Sequence, residues 1–210
     1  MVYLPPAFTE SLEEVLVAFI EQHDFGTIVS QSERGMIASQ IPFLIERRAD
    51  RVFLLGHIAR ANPQGADLLP GGEVMVLFQG PHTYISPSWY QAGPAVPTWN
   101  YATVHAYGTP RTVDHAGWLR DVLQRLSERH EGREPAPPWR MQDQPEPYLA
   151  GMLKGIIGFE IAVERLEGKF KLSQNRPAGD RPRIIAALEA REDADSHDVA
   201  RLMREREPGG

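Results

Sequence analysis

The chain contains no cysteine. Disulfides, thiolate nucleophiles, zinc–thiolate centres and cysteine-held iron–sulfur clusters are therefore excluded. No segment approaches the ~18 consecutive apolar residues of a membrane-spanning helix. The amino end, MVYLPPAFTESLEE, lacks the basic start and long apolar stretch of a secretory signal. No membrane partner is expected, and the cytoplasm is the default location. Positive charge is also short: 22 basic residues face 28 acidic ones, for a net charge of −6. A broad nucleic-acid surface needs clustered Lys and Arg, so the balance disfavours one while leaving room for a local basic patch. Familiar chemical signatures are missing too. There is no G-x-G-x-x-G fingerprint, P-loop, H-E-x-x-H pair or G-x-S-x-G elbow. The sequence offers no metal site and no catalytic acid or base.

What is present is enough apolar residue, 42% of 210, for a sizeable core. SLEEVLVAFIEQH has its apolar residues Leu12, Val15, Leu16, Phe19 and Ile20 at helical spacing. Ser11 with Glu14 has the form of a capping box. FGTIVS, MIASQIPFLIE, RVFLLGHIA, EVMVLFQG, NYATVHAYGTPR and GIIGFEIAVERLEGKFKLS read as six strands. The early spacers are too short for helical crossovers, so the pairing is antiparallel, and the last strand reads as leaving by a hairpin at Glu167 and Gly168. DHAGWLRDVLQRLSERHEG is a helix with an apolar stripe and a stop at Gly132. EPAPPW is a proline-rich connector and EPYLAGMLKG a short helix. Ile184, Ile185 and Leu188, then Val199, Leu202 and Met203, mark two more helical patches. The chain reads as one domain, residues 1–190, followed by a charged tail, residues 191–210.

Four stretches have unusual chemistry. In ASQIPFL, Ser39 and Gln40 interrupt an apolar strand, and Pro42 removes a ladder donor, which suits an edge or a bulge. In LLGHIARANPQG, His57, Arg60, Asn62 and Gln64 follow a strand; Arg60 fits either a phosphate or a surface salt bridge. HTYISPSWY, residues 82–90, reads as an aromatic and hydroxyl-rich loop that either plugs a barrel or lines a site for a flat ligand. EGKFKLSQNRP gathers Lys169, Lys171 and Arg176 in an acidic chain, around either an anion contact or a well-bonded turn.

Taken together, ASQIPFL, GHIARANPQ, VLFQGPHTYISPSWY, VPTWNYATVHAYG and LEGKFKLSQNR resemble the PaiB-like family of FMN-binding negative transcriptional regulators. The resemblance implies a mainly β fold, a six-stranded antiparallel split β-barrel of Greek-key type with peripheral helices, working as a homodimer. It implies FMN as cofactor, with haem or no cofactor as alternatives among wider relatives. It places Ser39, Gln40 and Ile41 on the flavin ring and His57, Arg60 and Asn62 on the phosphate and ribityl chain. Gln79 would reach the ring edge, with Tyr84 and Trp89 closing the pocket. DNA or a regulatory protein is the partner the resemblance suggests. A flavin-dependent oxidoreductase acting on a small molecule is the rival activity. The family pattern carries Trp where this chain has Gly65, so one large aromatic contact is missing.

Overall fold

The computed structural model describes residues 2–33, 35–68, 72–91, 93–134 and 137–206. In chain order the elements are β1 (Thr9–Glu10), α1 (Glu13–Gln22), β2 (Phe25–Ser32), β3 (Gly35–Pro42), β4 (Leu44–Arg48), β5 (Arg51–Ala59), α2 (Gln64–Leu68) and β6 (Val74–Ile85). They continue with β7 (Thr98–Val113), α3 (Ala116–Glu131), α4 (Glu146–Leu153), β8 (Ile156–Lys171), α5 (Asp180–Glu189) and α6 (Ala194–Glu205). The strands form one sheet in the order β3-β2-β6-β7-β8-β5-β4, with β1 added beside β8. The chain divides into two compact units, and β6, β7 and β8 contribute residues to both.

Six strands become eight among the described residues. The run MIASQIPFLIE is two strands, because Phe43 leaves the ladder between β3 and β4 and is fully buried. The eighth is the two-residue β1, too short to leave a sequence pattern. The hairpin at Glu167–Gly168 is absent: β8 runs straight through both residues, and Gly168 faces Glu10 of β1. His82–Ile85 is strand, not loop, because β6 extends to Ile85. Along β6 the buried residues shift from Val74, Val76 and Phe78 to Pro81, Thr83 and Ile85.

The larger unit holds residues 20–78 and 105–166. Its core centres on Phe43, whose ring meets Phe78 and Phe159 edge-on at 5.5 and 6.2 Å. A second cluster joins Leu44 and Leu55 to Val122 and Leu126, with Phe53 and Trp118 against it, and so seats the apolar stripe of α3 on β4 and β5. The helix ends at Gly132, whose N–H reaches Glu128 O. Beneath α3, Glu160 is buried and accepts from Arg111 and Arg48, each at 2.8 Å.

The smaller unit holds residues 1–19, 79–104 and 167–210. Ser11 does not cap α1; its N–H and that of Leu12 both bond Glu10 Oε1 at 3.0 Å, and Leu12 is exposed. Phe19 meets Phe170 edge-on at 5.2 Å. The charged composition of 191–210 reads as a tail, but Ala194–Glu205 folds as α6 and buries Ser196, Val199, Ala200, Leu202 and Met203. Asp193 caps it by accepting from Ser196 N at 2.8 Å. Arg181 is buried and donates to the carbonyls of Leu172 and Met203, at 2.7 and 2.9 Å. Pro135 and Ala136 of the proline-rich connector, and residues 207–210 of the tail, lie outside the described residues.

Candidate functional site

β3 and β4 are the two end strands of the sheet path among the described residues, and the residues expected on the flavin ring lie on β3. Among the described residues it pairs only with β2, from Phe25↔Pro42 to Ser32↔Gly35. Alternate N–H and C=O groups along its free side are therefore open to another partner. Ser39 and Ile41 are partly buried and Gln40 is exposed. β5 passes close by: a Cβ added to Gly56 would stand 3.4 Å from Ile41 Cδ1 and 2.9 Å from the ring of Phe159. Glycine at 56 is what lets β5 approach both.

The turn after β5 locks onto this edge. Asn62 Nδ2 donates to Ser39 Oγ at 3.0 Å, and Asn62 Oδ1 accepts from Gln64 N at 2.9 Å. One amide thus closes its own turn and holds β3. Gln64, fully buried, extends the lock. Its Nε2 lies 3.1–3.2 Å from Ile28 O, Ser30 Oγ and Ile37 O, which pins α2 to β2 and β3. Gln64 stands among the polar residues noted in this stretch, but the sequence assigns it no role. The signal for it is only its place directly after Asn62-Pro63; its three acceptors are distant in sequence.

His57 sits one residue beyond Gly56 and faces Gly158 across the β5–β8 pair. It is partly buried, and its Nδ1 has no hydrogen-bond partner among the described residues. Burial holds its pKa below the usual imidazole value, so the ring is neutral at pH 7. An acceptor or donor with nothing to bond is an opening for a ligand.

Arg60 is turned to other work. Its Nε donates to Lys154 O at 3.0 Å and its Nη2 to Ile156 O at 3.0 Å and Asp114 Oδ1 at 2.8 Å. Asp114 is held below its usual pKa by the hydrogen bond and charge of Arg60. The surface salt bridge, not an open phosphate fork, is the arrangement seen. Arg60 and Asp114 help line a cavity of about 320 Å³ with Arg120, Glu146 and Lys154, away from β3's residues. Gly65 is buried beside Ile58 and Ile157, which would stand 3.7–3.8 Å from an added Cβ.

The remaining named residues belong to the smaller unit. Gln79 is exposed, with Nε2 3.4 Å from His82 Nδ1. Tyr84 lies edge-on to Trp99 at 6.1 Å. Trp89 ends a one-turn helix, Pro87–Trp89, capped by Ser86 Oγ, which accepts from Ser88 N. Its carbonyl accepts from Arg183 Nε at 2.9 Å, and Arg191 stands 5.6 Å over its ring. So the stretch that reads as a loop is a strand end followed by a fixed turn. Among the described residues, no group of His, Asp and Glu is placed to hold a metal.

The donor set fits a flavin on the larger unit in one respect and not in another. An open strand edge, a bonded Ser39–Asn62 pair and an unpartnered imidazole nitrogen suit the imide edge and hydroxyl chain of a flavin. Arg60, the cation expected at the phosphate, is engaged by Asp114.

Residues 2–165 match the family model described as "Putative FMN-binding domain". The chain is 34% identical over 205 residues to the Bacillus subtilis "Protease synthase and sporulation protein PAI 2", covering 97% of each. In structure it resembles the FAD and heme binding protein of Mycobacterium smegmatis, with TM-score 0.57 and 16% identity over 85% of this chain and 79% of that one. It also resembles the flavocytochrome Anf3 of Azotobacter vinelandii, with TM-score 0.55 and 10% identity over 80% and 72%. The likeness to these two is one of fold, an antiparallel split β-barrel with helices. The matched family model and the identity over nearly the whole length place this chain in the FMN-binding domain family of PaiB-like proteins.

Proposed function

We propose that this chain binds FMN along the free edge of β3 and serves as a flavin-dependent regulatory protein, working as a homodimer. The observation that carries the flavin part is the open side of β3 beside a fixed polar frame, Ser39–Asn62–Gln64, and an unpartnered His57 Nδ1. Ser39, Gln40 and Ile41 would hold the ring through backbone and side-chain groups. His57 and Asn62 would bond the ribityl hydroxyls. Arg60 would serve the phosphate only by giving up Asp114. Bound flavin supplies reversible electron transfer, and the protein's part is to orient it and set the polarity around it.

The regulatory part rests on likeness. The Bacillus subtilis relative is named for protease synthesis and sporulation. The net charge of −6 favours action through a protein partner over broad contact with DNA. A flavin-dependent oxidoreductase is the rival for the same site, and haem the rival cofactor. Titration of the full chain with FMN, FAD, riboflavin and haem separates them. A flavin absorbance near ~450 nm with saturable FMN binding, weakened at least fivefold in Asn62→Ala, supports the β3 site. A Soret band on adding haem, with no flavin uptake, would replace FMN by haem.

A further inference from the structure

The chain has three lysines in 210 residues, and two of them, Lys169 and Lys171, stand two apart on β8. Both point away from the residues that α5 and α6 cover. In the smaller unit the neighbouring strands β6, β7 and β8 bury one face: Thr83 bonds Ser196, Asn100 bonds Ser173, and Phe170 is buried. The alternate residues form the other face. On it lie His82 and Tyr84 from β6, Trp99 and Tyr101 from β7, and the two lysines from β8. Trp99 is 53% exposed and Tyr84 39%. The Trp99 ring lies 6.2 Å from His82 and 6.1 Å from Tyr84, so the rings form one connected surface.

The lysines lack what buried lysines normally have. Lys169 is only 8% exposed, with its Nζ 5.2 Å from the Tyr3 ring and 5.6 Å from that of Tyr101. Lys171 Nζ donates to Thr98 Oγ1 and Trp99 O, which leaves one N–H. Among the described residues, neither has a carboxylate within ion-pair distance. Two acids belong to this face: Asp195 stands 3.8 Å from His82, and Glu167, two residues before Lys169 on β8, is engaged by Val2 N at 2.9 Å. Arg176 adds a third cation, stacked 4.2 Å over Tyr90. Burial, then the charges of Lys169 and Arg176, push the Lys171 pKa down, the mark of positive charge without compensation. A purely structural turn would not need this: the turn itself is bonded by Gln174, which accepts from Leu172 N and donates to Phe170 O. Cations kept desolvated without an ion pair are costly unless a ligand brings an anion.

We propose that this face binds a planar aromatic anion, its ring against Trp99 and Tyr84 and its phosphate or carboxylate on Lys169 and Lys171. Exposed rings give stacking surface, and the ammonium groups select for charge. The inference does not depend on flavin binding at β3. The same chemistry has two sources: FMN held at this face instead of at β3, or a separate small molecule of this kind.

Calorimetric titration of the full chain with two matched pairs, FMN with riboflavin and AMP with adenosine, tests it. In at least one pair the phosphorylated member binds ten times tighter than the other. Lys171→Met reduces that member's affinity at least fivefold and leaves the uncharged one alone, while Trp99→Ala weakens both. An effect confined to FMN makes the flavin the ligand; one on AMP with FMN unaltered makes it a second molecule. The proposal is overturned if neither phosphorylated probe binds, if charge makes no difference, or if folded Lys171→Met and Trp99→Ala bind all four as the parent does. Circular dichroism of both variants establishes that they are folded.

Discussion

Gln64 is the side chain on which the geometry beside β3 most depends. It is fully buried, its Nε2 faces three oxygens, from Ile28, Ser30 and Ile37, and its own Oε1 has no partner among the described residues. Two substitutions of similar size separate its parts. Gln64→Leu removes the donor and the unpartnered oxygen together. A buried acceptor left without its donor costs about 1–3 kcal/mol, and losing the unpartnered Oε1 returns part of that, so a net loss of about 1–2 kcal/mol is expected. Gln64→Glu keeps the shape and puts a carboxylate oxygen against the same three oxygens. The buried carboxyl is then favoured in its neutral form, which raises its pKa in the folded state. The sign of the pH effect follows. The unfolded chain releases this proton near pH ~4.3 while the folded one still holds it, so stability falls as pH rises above that value. At pH 7 the loss should exceed that of Gln64→Leu, reaching roughly 3 kcal/mol or more; near pH 4 the two variants should be close. Urea unfolding at both pH values measures this. Because α2 and Asn62 are anchored through Gln64, FMN binding should weaken in parallel. A Gln64→Glu protein as stable as the parent at pH 7 would refute the role given to this amide.

Other outcomes follow from the same contacts. Glu160 is raised in pKa by burial, but the hydrogen bonds and charges of Arg111 and Arg48 more than reverse that and leave it lowered. Its contribution is present above the ordinary glutamate range and lost as pH falls. Glu160→Gln should therefore cost about 1–3 kcal/mol at neutral pH and converge on the parent in acid, as thermal melts will show. His57, lowered by burial, is neutral when folded and charges more readily when unfolded. The parent should lose stability as pH falls below ~6.5, and His57→Phe should flatten that slope. Arg60→Ala strips the carbonyls of Lys154 and Ile156 of charged donors in a partly solvated site, so a loss of about 1 kcal/mol is expected in urea unfolding. Asp114→Asn, which spares both carbonyl bonds, should change stability much less. Light scattering at micromolar protein should give a dimer mass; a monomer would count against the proposed assembly.

Strand positions were legible because the runs are short and rich in Ile, Val, Leu and Phe between turn residues, and the stripes of α3, α5 and α6 because theirs recur every three to four. What stayed hidden was interruption without punctuation. Phe43 breaks β3 from β4 inside an apolar run, and no turn residue marks it. HTYI alternates well enough to be strand, yet its aromatic content suggested a loop. The charge of 191–210 obscured a packed helix whose apolar stripe, Val199, Leu202 and Met203, was already visible. At the site, the Ser39 and Asn62 stretches could be found through family resemblance, and they meet at 3.0 Å. Arg60 could not be settled from its own segment, because its partner Asp114 lies 54 residues on. Gln64 was invisible as an anchor for the same reason: a non-local hydrogen bond leaves no local pattern.

The central claim is that this chain holds FMN. Equilibrium titration of the full-length protein with FMN, followed by flavin fluorescence and by absorbance, tests it most directly. Saturable binding of one FMN per chain is the predicted result, with Asn62→Ala and Gln64→Leu both weaker. A folded protein that takes up no flavin across the accessible concentration range would contradict it.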